Sequence, residues 1–338
     1  MITVNRERVV EVFGLQLDAF YHNGHPYDLP DAILPQAPEN LPESLRTKIG
    51  SREHAMFLFI LCYWMRGGIK SYAATRALTR LYDRHPHIFL PESEPEINED
   101  ELLQWLKDVG LNFIAKEVSK KAWKRNLRTI ARLYAGDPRN IFAGINTYEE
   151  ACERIQNKRG KGFYGFQEKM VSMIIYFFMD AGIVDRWHFP IPVDFHVLRT
   201  VFAHEIVIAD AEEKGVNGFY TKPILATVRE LSYDYCVKDN VDPVDLCSAV
   251  WLYSGIMCSE HPGNQSKSGR NRGRDTEIWP VERWTLSHTR AFERTCRVCS
   301  LRSTCRWCVP AKEYYIGGRV VLREERDDDP PQRRIFHD

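Results

Sequence analysis

Apolar residues recur along most of the chain at intervals of three and four, the spacing that lines them up on one face of an α-helix. The pattern predicts helices over 8–22, 53–65, 71–83, 100–109 and 116–134. Further helices are expected over 147–156, 168–180, 194–204, 222–237 and 243–256. Period-two alternation, the mark of a half-buried strand, is scarce. Short polar breaks such as Asn23-Gly-His-Pro26 and Gly136-Asp-Pro138 separate the helices. The expected fold class is all-α.

Three stretches read as loops or disordered segments. They are 84–99 with Pro86, Pro91 and Pro95, the basic glycine-rich 261–275, and the tail from Arg323. The apolar runs Ala55 to Met65 and Met170 to Met179 fall short of the roughly 20 residues that cross a bilayer, so no membrane span is expected. The first residues, Met1 to Arg8, lack the apolar core of a signal peptide.

Length changes the picture from one core to two, because 338 residues exceed the usual single domain. Hydrophobic residues at 44% and charged residues at 27% are ordinary for a globular protein. The formal net charge of zero gives no sign of a nucleic-acid partner, so any such surface must come from local segregation of charge. Nine cysteines, an odd number without a secretory signal, argue against a disulfide framework and for a reducing compartment. Cys62, Cys152, Cys236 and Cys247 sit in apolar helical contexts and read as packing, whereas Cys296, Cys299, Cys305 and Cys308 crowd into thirteen residues. A thiolate set of that kind suits an iron–sulfur cluster or zinc.

The segment from Asn157 to Arg199 carries the densest chemistry. It opens on Lys158-Arg-Gly-Lys-Gly-Phe-Tyr-Gly165, runs through a helix with Lys169 in its first turn, and ends on Pro190-Ile-Pro-Val-Asp194-Phe-His-Val-Leu-Arg199. Glycines let a tight hairpin present backbone N–H groups, and a following helix N-terminus adds partial positive charge; together they can hold a phosphate. Asp194 stands where a helix begins, a favoured carboxylate position.

A glycine hairpin, a helix starting near a lysine, and then Pro-Val-Asp-x-His resembles the helix-hairpin-helix DNA glycosylase superfamily, the relatives of endonuclease III and 8-oxoguanine glycosylase. Phe189-Pro-Ile-Pro-Val-Asp194 is most similar to the 8-oxoguanine branch, including its archaeal members. The likeness extends to Phe57–Tyr82, to Leu106–Leu111 with Lys116–Tyr134, and to Trp251–Cys258, so that it covers roughly 50–205 and 245–308.

The resemblance implies removal of a damaged or mismatched base from duplex DNA, with or without lyase activity. Asp194 falls on the family's catalytic acid. Lys169 falls on the nucleophilic lysine, with Gly165 as the first hairpin glycine and Gln167 in place of the second. The archaeal spacing instead puts that slot at Gly162, beside Lys161. DNA contacts are expected from Lys158, Arg159, Gly162, Gly165 and His196. Arg66 is expected in Tyr63-Trp-Met-Arg-Gly-Gly68, where endonuclease III relatives insert a glutamine.

Cys296-x2-Cys299-x5-Cys305 matches the last two spacings of the endonuclease III cluster loop. The implied ligands of a 4Fe–4S cluster are Cys258, Cys296, Cys299 and Cys305, with Cys308 as an alternative to Cys258 and zinc as the alternative metal. Arg290, Arg294, Arg297, Arg302, Arg306 and Lys312 would face phosphates around it.

The implied organisation is an N-terminal segment (1–49) packing with the cluster lobe, a helical barrel (50–190), an aspartate and cluster lobe (191–312), and a tail (313–338). Lesion-bearing double-stranded DNA would bind between two helical lobes of a monomer, with one nucleotide flipped toward Asp194. The expected setting is cytoplasmic, nucleoid-associated when DNA is bound. Two other readings remain: a catalytically inactive DNA-binding or damage-sensing protein, and a zinc-stabilised helical interaction module. The identity of the excised base is not legible.

Overall fold

The computed structural model describes residues 1–65, 70–111, 116–156, 162–209, 221–258, 275–277, 286–305, 313–316 and 319–322. In chain order the first elements are β1 (Ile2–Val4), α1 (Arg6–Tyr21), α2 (Glu43–Arg46), α3 (Arg52–Trp64), α4 (Ser71–Arg84), α5 (Glu99–Asp108) and α6 (Lys116–Leu133). Then come α7 (Tyr148–Ile155), α8 (Glu168–Asp180), α9 (Phe195–Ala203), β2 (Val207–Ala209), α10 (Lys222–Lys238) and α11 (Pro243–Tyr253). The last are β3 (Asp275–Glu277), α12 (Leu286–Arg294), β4 (Glu313–Ile316) and β5 (Arg319–Leu322).

Each helix expected from apolar spacing is present, and its ends lie within three residues of the expected ones. Side-chain caps set several starts. Asn5 Oδ1 accepts from Arg8 N, Ser51 Oγ from His54 N, and Asn98 Oδ1 from Asp100 N and Glu101 N. The chain is all-α apart from short strands: β1 pairs antiparallel with β2, Ile2 opposite Ala209, and β3, β4 and β5 form an antiparallel sheet. Runs of three or four residues are too short for alternation to show in sequence, which is why these strands were not expected. Among the described residues no helix is long and apolar enough to cross a membrane.

The expectation of a loop over 84–99 is corrected. Two 3₁₀ turns, Pro86–Phe89 and Pro91–Glu96, each begin on a proline, whose fixed φ suits a helical first position. Ile88 and Phe89 are fully buried. Trp123 Nε1 donates to the Ile88 carbonyl at 2.9 Å, and Arg128 Nη2 donates to buried Glu94 at 2.8 Å. The stretch reads as polar because its buried apolar anchors, Ile88, Phe89 and Ile97, are few and set among prolines and acids. Residues 261–274 and those from Arg323 onward lie outside the described residues.

The chain divides into two compact units. Unit 1 comprises Met1–Ala32, Val193–Val241 and Asp245–Asp338; unit 2 comprises Ile33–Pro192 with Asp242–Val244. Residues 33–49 thus group with unit 2. Leu41 and Leu45 are buried, Gln36 Nε2 donates to Tyr176 Oη and to Asp180, and the Tyr72 and Thr79 hydroxyls donate to the Ile33 and Asn40 carbonyls.

In unit 2, α3 from His54 to Trp64 and α8 from Met170 to Met179 are buried all round, as interior helices must be to carry so little polarity. Phe59 stacks on Phe166 at 5.0 Å and meets Phe163 edge-on at 4.9 Å. Fully burying one such ring is worth about 1.5–3 kcal/mol. In unit 1, α1 buries Val12, Phe13 and Leu17, with Phe13 edge-on to Tyr235 of α10 at 5.4 Å.

Candidate active site

Asp194 follows Pro190–Val193 in the chain, lies in unit 1 and caps α9. Its Oδ1 accepts from His196 N at 2.8 Å and Val197 N at 3.2 Å. Such a cap stabilises a helix by about 0.5–2 kcal/mol, and the positive end of the helix dipole favours a carboxylate there. The residue is only 7% exposed, and among the described residues both of its hydrogen bonds fall on Oδ1. Oδ2 is committed to none of them. One oxygen fixes the carboxylate while the other is left out of the cap.

The first turn of α9 is anchored in turn to the π-helical turn Ser254–Cys258 that follows α11. His196 Nδ1 stands 3.3 Å from Ser254 Oγ, and Arg199 Nη1 donates to both the carbonyl and the Oγ of Ser254 at 3.1 Å. His196 is buried against Trp251, their rings 5.2 Å apart. These contacts make His196 a support for α9 rather than an exposed contact. Arg199 and Ser254 had no sequence signal of their own beyond lying inside helical runs.

The hairpin in unit 2 is described from Gly162 onward. A Cβ at Gly162 would collide with the Gln156 carbonyl, so only glycine fits, and Gly165 sits at φ +85°. The hairpin is bolted to α6 by Asn126, whose Oδ1 accepts from Tyr164 N at 2.7 Å and whose Nδ2 donates to the Tyr164 carbonyl at 3.2 Å. The Arg125 guanidinium lies 5.6 Å from the centre of the Tyr164 ring. Phe163 N donates to the Ile155 carbonyl at 2.9 Å. The amides of Phe163 and Tyr164 are therefore used inside the protein, which narrows the donors left for a phosphate. Lys169 is half-buried in the first turn of α8. Lys158, Arg159, Lys161 and Arg66 lie outside the described residues.

The cysteines expected as ligands belong to unit 1. Cys258 ends the π-helical turn, and Cys296 opens a 3₁₀ turn after α12. Cys305 N donates to the Leu301 carbonyl at 3.0 Å. Tyr253 Oη gathers this loop: it lies 3.0 Å from Cys299 Sγ and 2.9 Å from Ser300 Oγ, and accepts from Leu301 N at 3.3 Å. Burial holds the Tyr253 hydroxyl and the Cys299 thiol above their usual pKa values. Nearby, His204, which follows α9, places Nδ1 2.8 Å from Thr304 Oγ1. Four half-buried thiols are chemically suited to a 4Fe–4S cluster or to zinc. Among the described residues, however, no three His, Cys, Asp or Glu side chains are arranged to hold a metal ion. Cys308 and Arg306 lie outside the described residues. Arg297 pairs with Glu293 at 3.5 Å on the exposed surface.

No family model matches the chain, and no curated protein does. Among solved structures the chain is similar to that of a trapped endonuclease III–DNA covalent intermediate in an estranged-adenine complex, with 12% identity over 90% of this chain and 98% of that one and a TM-score of 0.47.

Proposed function

We propose that the protein is a DNA glycosylase of the helix-hairpin-helix type, acting as a monomer on double-stranded DNA that contains a damaged or mismatched base. The observation that carries this reading is Asp194: a nearly buried carboxylate at a helix N-terminus, tied through Oδ1 with Oδ2 uncommitted among the described residues. It stands inside the Pro-Val-Asp-x-His phrase that the resemblance rests on.

In the proposed reaction the target nucleotide leaves the base stack so that its C1′ reaches Asp194. The C1′–N bond breaks with its electron pair leaving on the base. Water adds at C1′, one of its protons ends on the departing base, and the products are free base and an abasic sugar. Positive charge grows on the sugar as the bond breaks, and a fixed carboxylate stabilises that charge more than it stabilises the ground state. In the bifunctional form of the reaction a neutral lysine amine attacks C1′ in place of water and leads to an imine that can be trapped by reduction. Lys169 and Lys161 are the two candidates.

The test is a panel of duplexes, each with one lesion or mismatch, incubated with wild type and Asp194→Asn and then split between hot alkali and no treatment. Asparagine keeps the shape and the capping acceptor but not the charge. Excision should fall by at least about a hundredfold in rate, the scale seen when one stabilising group of a charged transition state is lost. Binding of the same duplex should stay within a few-fold. Borohydride trapping of wild type that is lost in Lys169→Gln, or only in Lys161→Gln, assigns the amine. Wild type that binds but excises nothing favours the damage-sensing alternative.

A further inference from the structure

Every residue of α9 after the first is buried; only Phe195 is open, with 37% of its surface exposed. A lone exposed phenylalanine is ordinary on a protein surface. This one is not loose. Its ring centre lies 4.0 Å from that of His196, tilted 35°, and the Arg199 guanidinium carbon lies 5.5 Å from it. Both neighbours are buried and both reach Ser254, so the ring has a rigid backing and an open remainder.

Its position in the chain gives that open surface a meaning. Phe195 directly follows Asp194, and consecutive Cα atoms stand about 3.8 Å apart. A nucleobase is bonded directly to C1′. A nucleotide whose C1′ reaches the Asp194 carboxylate therefore carries its base to the neighbourhood of Phe195, the next residue in the chain. Every nucleobase offers a π-face, and stacking on an aromatic side chain tolerates any base identity.

We infer that Phe195 is the base-stacking residue of this site, receiving the unstacked base of the nucleotide whose sugar lies at Asp194. The inference rests on the glycosylase reading and adds to it the surface that holds the base. It also assigns the hold on the base to a group that does not read its hydrogen-bonding edge. Discrimination between lesions then belongs to other residues.

The test uses the full-length protein and two duplexes that differ at one nucleotide. The first carries 2-aminopurine on a 2′-fluoro sugar, which resists cleavage, opposite an abasic gap; the second carries a tetrahydrofuran abasic analogue in its place. Wild type should bind the first about tenfold more tightly than the second, the scale of one base–aromatic stack. In Phe195→Ala and Phe195→Leu that ratio should fall to between about one and two, with affinity for the abasic duplex unchanged within about twofold. Phe195→Trp should restore the ratio. Leucine keeps apolar bulk without a π-face, so its failure in a folded protein separates stacking from packing. A ratio near ten in either non-aromatic variant overturns the assignment while leaving the glycosylase reading intact. Wild type that excises bases yet shows a ratio near one does the same. Wild type that neither prefers the base-bearing duplex nor excises any base overturns both.

Discussion

At the scale of single residues, Asp194 and Asn126 perform related tasks with very different visibility. Asp194 was legible because its phrase is local: two prolines that force extended backbone, an acid at the helix start, and an apolar helix behind it. Asn126 carries no such signature, since its role lies in clamping Tyr164, thirty-eight residues away in sequence. From sequence it is one polar position in a basic helix. Being 5% exposed, it cannot be removed without leaving the Tyr164 amide and carbonyl short of partners. An unpaired buried polar group costs about 1–3 kcal/mol. Asn126→Ala should therefore lower stability by that order in denaturant unfolding. Because backbone contacts position without reading sequence, it should also weaken damaged and undamaged duplex alike. A loss confined to one lesion would contradict the positioning role. Gly162→Ala should be the more severe change, since its Cβ meets main chain that has no rotamer to escape into.

At the scale of elements, the ten helices expected from apolar spacing were found, whereas α2, α12 and the short turns and strands were not expected. Periodicity needs two or three turns to declare itself, so α3, α6 and α8 stood out, whereas 3₁₀ turns and three-residue strands gave no period. The segment 84–99 shows the cost: its prolines suggested disorder, but Phe89, boxed by Phe57, Tyr82 and Trp123, pins it into the core of unit 2. The cysteine loop is the opposite case. Its cysteine spacing is plain in sequence, but the links that hold it, Tyr253 to Leu301 and His204 to Thr304, span 48 and 100 residues. Those links fix the loop to α11 and to the end of α9 by hydrogen bonds. If the 4Fe–4S cluster that the resemblance implies is bound, protein purified without oxygen should be brown and hold about four irons per chain. Cys305→Ser should lower the unfolding midpoint before it alters chemistry, because metal binding and folding are coupled. A colourless protein with stoichiometric zinc would replace the iron reading with the zinc one.

At the scale of the whole molecule, each unit buries a histidine that resists protonation. In unit 2, burial pushes His54 down to about 4; in unit 1, burial pushes His204 down to about 3. Both start near 6.5 in the unfolded chain. The unfolded state therefore binds more protons below that value. The stability these neutral rings contribute is fully present above pH 6.5 and declines as pH falls toward 4 and then 3. Urea midpoints should accordingly be flat above neutrality and fall steadily on acidification. Replacing both histidines with glutamine, which does not titrate, should flatten the slope between pH 6.5 and 4. Stability that rises across that window in the wild type would refute the assignment.

Unit 1 is assembled from three separated segments. The pairing of β1 with β2 has a consequence in time. Val4 cannot meet Val207 until that residue has left the ribosome, which at typical elongation rates takes roughly 10–40 s. Unit 2 is by then almost wholly synthesised, whereas α1 has waited with Val12, Phe13 and Leu17 unshielded. Unit 1 thus closes only after most of unit 2 has been made, and α1 waits for partners that follow it by roughly two hundred residues.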